Sequence, residues 1–223
     1  MPPSIAPAER PRSSTHPTPI AGVVKPLPAV RDDHALVTGL RAGETWARAA
    51  FFDRYAPDVE RILRRILGRE VHTDMADLVH DTFVQALASF DNLRDSGALR
   101  GWMQSIAAHT AYRTIRSRRV RRWLRFWEPE QIPDVPTDDV DPAVREAYRR
   151  TYLVLDRLPA EERVAFALRH IEGMELGQLA ETCGVSLSTI KRRLSRAEGR
   201  FKRAAERDEV LRVWIEEGDR WKT

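Results

Sequence analysis

A chain of 223 residues has room for one domain or two small ones, and a hydrophobic fraction of 42% with 8% aromatics suffices for packed cores. The formal charge of +4 is modest for a nucleic-acid binder, but the pI near 9.6 and the local clustering of basic residues matter more than the total, because phosphates are met by patches. A single cysteine, Cys183, excludes an intramolecular disulfide, and no stretch of 18 apolar residues is present to cross a membrane. The N-terminus carries prolines where a signal peptide needs an apolar core, so the expectation is a cytoplasmic protein without membrane insertion.

Residues 1–30 hold eight of the fourteen prolines among scattered Ser, Thr and Ala, a composition too poor in apolar area to offset backbone ordering; a disordered tail is expected there. Residues 31–127 then show helical periodicity. Leu36, Val37 and Leu40 form one turn set, Trp46, Ala49, Ala50 and Phe52 a second, and Val59, Ile62, Leu63, Ile66 and Leu67 a third. Pro57, tolerated in a first turn, is expected to begin that third helix. From Asp74, Val79, Phe83, Ala86, Leu87 and Phe90 line one helical face, and Asp77, His80 and Asp81 make an acidic flank on another. After a polar loop, Asp91 to Gly97, a long helix is expected from about Leu99 through Trp102, Ile106, Ala107 and Ile115. It runs into a cluster of seven arginines between Arg113 and Arg125, with Trp123, Phe126 and Trp127 at its end.

Residues 128–142 contain six acids, four prolines and no Lys or Arg, the composition of a stiff, self-repelling tether between two separately folded units. The second unit, 143–205, opens with Val144, Ala147, Tyr148, Leu153 and Leu155 and passes Leu158-Pro159 to Val164, Ala165, Leu168 and Ile171. Its last part, Leu176 to Arg203, has helix-turn-helix spacing. Ala180 is small where two helices touch, Gly184 sits where the turn needs positive φ, Ser186 can cap the second helix, and Ile190 anchors that helix in the core. Leu187, Ile190, Leu194, Ala197 and Phe201 form one stripe, leaving Ser188, Lys191, Arg192, Ser195 and Arg196 outward; seven Lys or Arg fall between Lys191 and Arg203. Cations and short hydroxyls at the start of such a helix suit phosphates and base edges. Residues 206–223, with Val210, Leu211, Trp214, Ile215 and Trp221, are expected to form a helical extension.

Catalysis finds little support. The six histidines are scattered, no HExxH, CxxC, phosphate loop or GxSxG occurs, and His80 near Asp77 and Asp81 lacks zinc-site spacing; no catalytic residue, metal or cofactor is expected. Cys183, at the end of an apolar stripe, reads as a small hydrophobe.

The fold expectation is therefore all-α: two small helical domains joined by an acidic, Pro-rich linker, the C-terminal one a helix-turn-helix domain. At this point Asp32 to Arg203 resembles the RNA polymerase sigma factors of the extracytoplasmic-function (ECF) type. DMADLVHDTFVQAL resembles that family's polymerase-docking helix and GWMQSIAAHTAYRTIRSRR its helix for the promoter −10 element. LDRLPAEERVAFALRHIEGMELGQLAETCGVSLSTIKRRLSRA resembles its −35-reading domain. The resemblance implies core RNA polymerase and promoter DNA as partners and is compatible with restraint by an anti-sigma factor. It implies polymerase contacts at Asp77, His80 and Asp81, where His80 replaces the family's usual glutamine. It implies −10 contacts at Trp102, His109, Arg113 and Arg116, with His109 and Arg113 standing where Asn and Asp are typical, and capture of an unstacked base by the 91–97 loop. It also implies −35 contacts at Ser186, Ser188, Thr189, Lys191, Arg192, Arg193 and Arg196. The competing reading is a stand-alone helix-turn-helix regulator, which would bind its operator without polymerase; the chain offers no evident dimer helix or ligand pocket for that role.

Overall fold

The computed structural model describes residues 32–68, 75–124 and 141–216, all helices and short connections. The tail of 1–30, nearly all of the 128–142 tether, and Asp74, Phe126, Trp127 and Trp221 lie outside the described residues.

Helix α1 (Asp33–Arg41) is started by Asp32, whose carboxylate accepts the His34 N–H at 2.9 Å. Helix α2 (Thr45–Leu67) is the first departure from expectation, because Pro57 lies inside it and begins nothing. Proline removes the bond to the carbonyl four residues back, that of Asp53; Pro57 and Asp53 both lie exposed, where water can satisfy the oxygen. With the helix unbroken, the buried stripe is Ala47, Phe51, Tyr55, Val59, Ile62, Leu63 and Ile66, and Phe52 is left 44% exposed.

Helix α3 (Met75–Ala88) buries Leu78, Val79, Thr82, Phe83 and Ala86, and Leu87 faces outward at 42% exposure. Two short 3₁₀ turns (Phe90–Asn92, Ser96–Ala98) carry the chain into α4 (Leu99–Leu124). The loop between them is anchored by Arg41, which donates to the Leu93 carbonyl at 2.7 Å, and by Asp95, which accepts the Gly97 N–H at 2.9 Å. Phe51 joins α2 to α3 and to the first turn, meeting Phe83 at 5.1 Å and Phe90 at 6.4 Å, both edge-on.

Helix α5 (Pro142–Leu155) starts with Pro142 in its first turn and an Asp141 cap on the Ala143 N–H at 2.9 Å. Its inward residues are Ala147, Tyr152, Val154 and Leu155; Val144 and Tyr148 lie exposed at 41% and 39%. Helix α6 (Ala160–Phe166) widens into a π turn over Ala167–Ile171, where the Glu172 N–H reaches back five residues to the Ala167 carbonyl at 2.9 Å. Helices α7 (Leu176–Thr182) and α8 (Leu187–Ala205) follow, and α9 (Glu209–Glu216) closes the described chain. Asp208 starts α9 by accepting the Val210 and Leu211 N–H groups at 3.1 Å, and Leu211 is buried with Ala147, Val154 and Ala205.

The two helical groups are not held apart. One apolar cluster runs from Leu36, Phe51 and Met103 through Ala108, Ala111 and Ile115 to Val164, Leu168, Leu179 and Ile190. Helix α4 has two buried stripes for this purpose. Leu99, Met103 and Ile106 belong to one; Gln104, Ala108, Ala111 and Ile115, spaced 4, 3 and 4, form the other. Small side chains on the second stripe let α6 and α7 approach, and the Gln178 amide donates to Gln104 Oε1 at 3.1 Å across the seam.

The exposure split on α2 sets an expected outcome. Phe51→Ala should lower unfolding stability by about 3–5 kcal/mol in urea denaturation, and Phe52→Ala, which removes a tilted ring packed on Phe83, by about 1 kcal/mol.

Candidate nucleic-acid and polymerase interfaces

The turn between α7 and α8 is built by backbone bonds. The Val185 N–H reaches the Ala180 carbonyl and the Gly184 N–H the Glu181 carbonyl, both at 3.0 Å, and Gly184 has φ of +62°. This is the Schellman arrangement, in which the glycine supplies the left-handed residue. Ser186 then accepts the Thr189 N–H at 3.3 Å, starting α8 as its spacing predicts. Its hydroxyl also lies 3.0 Å from that of Ser188 and 2.9 Å from that of Thr189, so the three candidate −35 hydroxyls form one exposed cluster. Ile190 is fully buried beneath them.

Along α8, Ser188, Lys191, Arg192 and Arg196 are exposed on one side, together with Ser195. Leu187, assigned to the apolar stripe by spacing, is 43% exposed, because it lies in the first turn beyond the reach of α7. Arg193 turns the other way. It is half-buried and lines a cavity of about 190 Å³ with Ala108, His109 and Tyr112 of α4 and Glu161, Val164, Thr182 and Cys183. Burial pushes the Cys183 thiol up to about 11, outweighing the opposing pull of the Arg193 charge.

On α4, His109, Arg113 and Arg116 are exposed and collect around Tyr112, a residue absent from the sequence-based set. His109 meets the Tyr112 ring edge-on at 6.3 Å; the Arg116 guanidinium lies 5.8 Å from its centroid and donates to its hydroxyl at 3.4 Å. The signal for Tyr112 was its position, three residues after one candidate and four before another. Arg113 donates to Gln85 Oε1 of α3. Trp102 is half-buried and packs edge-on against Phe90 at 5.9 Å, so it braces the 91–97 loop. The structure thus gathers His109, Arg113 and Arg116 on one face and places Trp102 about two turns away.

Asp77, His80 and Asp81 are exposed on the outer face of α3, where Val84 (52%) and Leu87 (42%) extend them into an apolar strip. Both carboxylates stand one turn apart, a surface suited to a basic partner with an apolar centre. Among the described residues, no group of three His, Cys, Asp or Glu could hold a metal ion, and no helix is long and apolar enough to cross a membrane.

These surfaces coincide with known sequence blocks. Residues 51–121 match Sigma-70 region 2, and residues 148–200 match Sigma-70 region 4. The chain belongs to the ECF sigma factors of the sigma-70 family. Such a factor is a promoter-recognising initiation factor of transcription, not an enzyme in the catalytic sense. The chain is 29% identical over 174 residues to the ECF RNA polymerase sigma-E factor of Haemophilus influenzae, covering 74% of this chain and 90% of that one. It is 30% identical over 149 residues to the ECF sigma factor SigE of Mycolicibacterium smegmatis, covering 64% and 55%. Two solved structures share the fold. CnrH in complex with the cytosolic domain of CnrY has a TM-score of 0.53 at 22% identity, over 79% of this chain and 99% of that one. Sigma factor RpoE in complex with the anti-sigma factor NepR from Bartonella quintana has 0.52 at 23%, over 71% and 96%.

Two outcomes follow from the local geometry of the ECF factor. Ser186→Ala should cost about 1 kcal/mol of unfolding stability by removing the α8 cap. Cys183, protonated far above neutral pH while the protein is folded, should be alkylated by iodoacetamide much more slowly in native buffer than in urea, as followed by mass spectrometry.

Proposed function

We propose that this ECF factor docks on core RNA polymerase through Asp77, His80 and Asp81 of α3 and reads the −35 duplex with α8. It then holds the opened −10 strand against α4 and the 91–97 loop. The observation that carries this reading is the division of surfaces. A helix-turn-helix presents an exposed basic face, a second basic face gathers round Tyr112, and an acidic-apolar strip lies on a different helix from both.

Each surface has the chemistry its role requires. Ser186, Ser188 and Thr189 sit at the N-terminal end of α8, where hydroxyls and N–H groups can meet phosphate, and Lys191, Arg192 and Arg196 supply cations one turn further on. Arg193 joins that set once the cavity beside α4 opens. Tyr112 offers a ring on which an unstacked base could lie, flanked by His109, Arg113 and Arg116. Trp102 stiffens the loop that would receive a second base. The polymerase carries out the chemistry, so the chain acts by binding alone. Its site of action is cytoplasmic, and an anti-sigma factor that covers these faces is the partner class suited to restrain it.

Arg192→Ala with Arg196→Ala should weaken binding of the polymerase-bound factor to its −35 duplex by about 1–3 kcal/mol for each base edge no longer read, and flatten the log-log salt dependence by about 0.9 for each phosphate no longer neutralised. Fluorescence anisotropy across a salt series measures both; an unchanged slope and affinity would exclude α8 as the reader. Asp77→Ala with Asp81→Ala should weaken capture by purified core polymerase about tenfold. Strong sequence-specific DNA binding by the chain without polymerase would favour the stand-alone regulator instead.

A further inference from the structure

We infer that Arg41 of α1 is a positioning residue for the −10 strand: it holds the 91–97 loop in the form that receives an unstacked base. That role rests on the base capture proposed above and identifies what keeps the receiving loop in shape. Arg41 lies outside residues 51–121, the block that matches Sigma-70 region 2.

The loop has one side fixed and one side offered. Leu93 is 3% exposed, its N–H donates to the Phe90 carbonyl at 3.0 Å, and its backbone is extended, with φ −74° and ψ 104°. Neighbours of an inward residue on extended chain point the other way, and Asn92 and Arg94 are both exposed. Their amide and guanidinium are groups that pair with base edges. Asp95 closes the second half locally: its carboxylate accepts the Gly97 N–H at 2.9 Å and its carbonyl the Ala98 N–H at 3.2 Å. The first half is tied to another element by the Arg41 guanidinium, which donates to the Leu93 carbonyl at 2.7 Å across 52 residues of sequence.

Helix α1 lies along the loop as a splint. His34 and Arg41, two turns apart on one face, are separated by about 10 Å at 1.5 Å per residue. Leu93 and Ser96 span about the same distance on extended chain. At the far end of that span His34 Nδ1 lies 3.4 Å from the Ser96 hydroxyl oxygen. A cation in the last turn of a helix ordinarily meets that helix's own carbonyls. Here the Ala42, Gly43 and Glu44 N–H groups already reach the carbonyls of Thr38, Leu40 and Gly39, at 3.0, 3.1 and 3.0 Å. Arg41 is thereby left to bind the loop. It is itself exposed, so the buried side of α1, Leu36 and Val37, does not depend on it.

The test uses holoenzyme assembled from core polymerase and full-length wild type, Arg41→Ala or Arg41→Lys, on a promoter chosen by mapping the wild-type start site. Fluorescence anisotropy follows two probes from that promoter. One is the −35 duplex; the other is the non-template −10 strand as a single-stranded oligonucleotide, intact or with an abasic site placed at each position in turn. Wild type should lose about tenfold in affinity at the abasic position whose base the loop takes. R41A should bind the intact strand about tenfold more weakly and lose nothing further at that position, with −35 affinity unchanged. R41K, which retains a donor, should restore most of both. A residue that served only the fold would weaken both probes alike and leave the abasic pattern as it was. Should circular dichroism show that R41A has lost helicity, Arg41→Met, which keeps the stem and removes the donor, decides in its place. A folded R41A or R41M with wild-type affinity and abasic loss, or with a loss shared equally by the −35 duplex, overturns the positioning role and leaves base capture standing. A wild type indifferent to every abasic site overturns base capture, and the role of Arg41 with it.

Discussion

Helix α4 must be apolar on two sides at once, and the rest of the molecule is arranged around that constraint. Its Leu99, Met103 and Ile106 stripe completes the core built by Phe51, Tyr55 and Ile62, while Ala108, Ala111 and Ile115 receive α6 and α7. Apart from Arg100, which pairs with Asp58 at the start of the helix, the exposed polar residues fall in the sector facing away from both stripes and in the arginine-rich end. That sector contains His109, Tyr112, Arg113 and Arg116. A helix with one buried stripe could have scattered its basic groups widely; one with two has to concentrate them, and concentration is what meeting a polyanion needs.

Local chemistry was legible in the sequence wherever a single residue type is forced. Gly184 must take positive φ, Ser186 must cap, and Ile190 must lie beneath the cap, so the helix-turn-helix could be placed to the residue. Pro57 misleads because proline is read as a boundary, whereas an exposed proline with an exposed carbonyl four residues earlier costs a helix less than an interrupted core would. Splitting α2 there hides the i+4 run of Ala47, Phe51, Tyr55 and Val59 and puts Phe52 in the place of Phe51. The same phase error exchanges Tyr148 for Tyr152 on α5, a residue whose ring and hydroxyl face α2 and therefore answer to a distant partner.

What periodicity could not show was the seam itself. Arg163 finds carbonyls 96 and 97 residues away, and Tyr152 one 87 residues away; nothing in the neighbourhood of either residue distinguishes it from a solvated surface group. Arg193 illustrates the same limit. Its charge matches that of Arg192 and Arg196, but it stands three residues after Ile190 and four before Ala197, at the edge of the buried stripe, and it is half-buried against a cavity shared with α4. The composition of an acidic, proline-rich tether suggested two bodies held apart, but a tether fixes how far two domains can separate and says nothing about whether they attract.

That reach can be bounded. From Leu124, where α4 ends, to Asp141, which caps α5, there are 141 − 124 = 17 residue steps, and a chain extended at about 3.3–3.6 Å per step covers roughly 55–60 Å. From Arg116, the last of the −10 candidates on α4, to Leu124 the helix adds only about 12 Å at 1.5 Å per residue. The seam is mixed: the apolar cluster from Ala108, Ala111 and Ile115 to Val164, Leu168 and Leu179 is fastened at its edge by Arg163 on the Ile66 and Leu67 carbonyls and by Glu172 on Arg61 and Arg65, so parting the two groups would expose apolar area as well as exchange polar bonds for water.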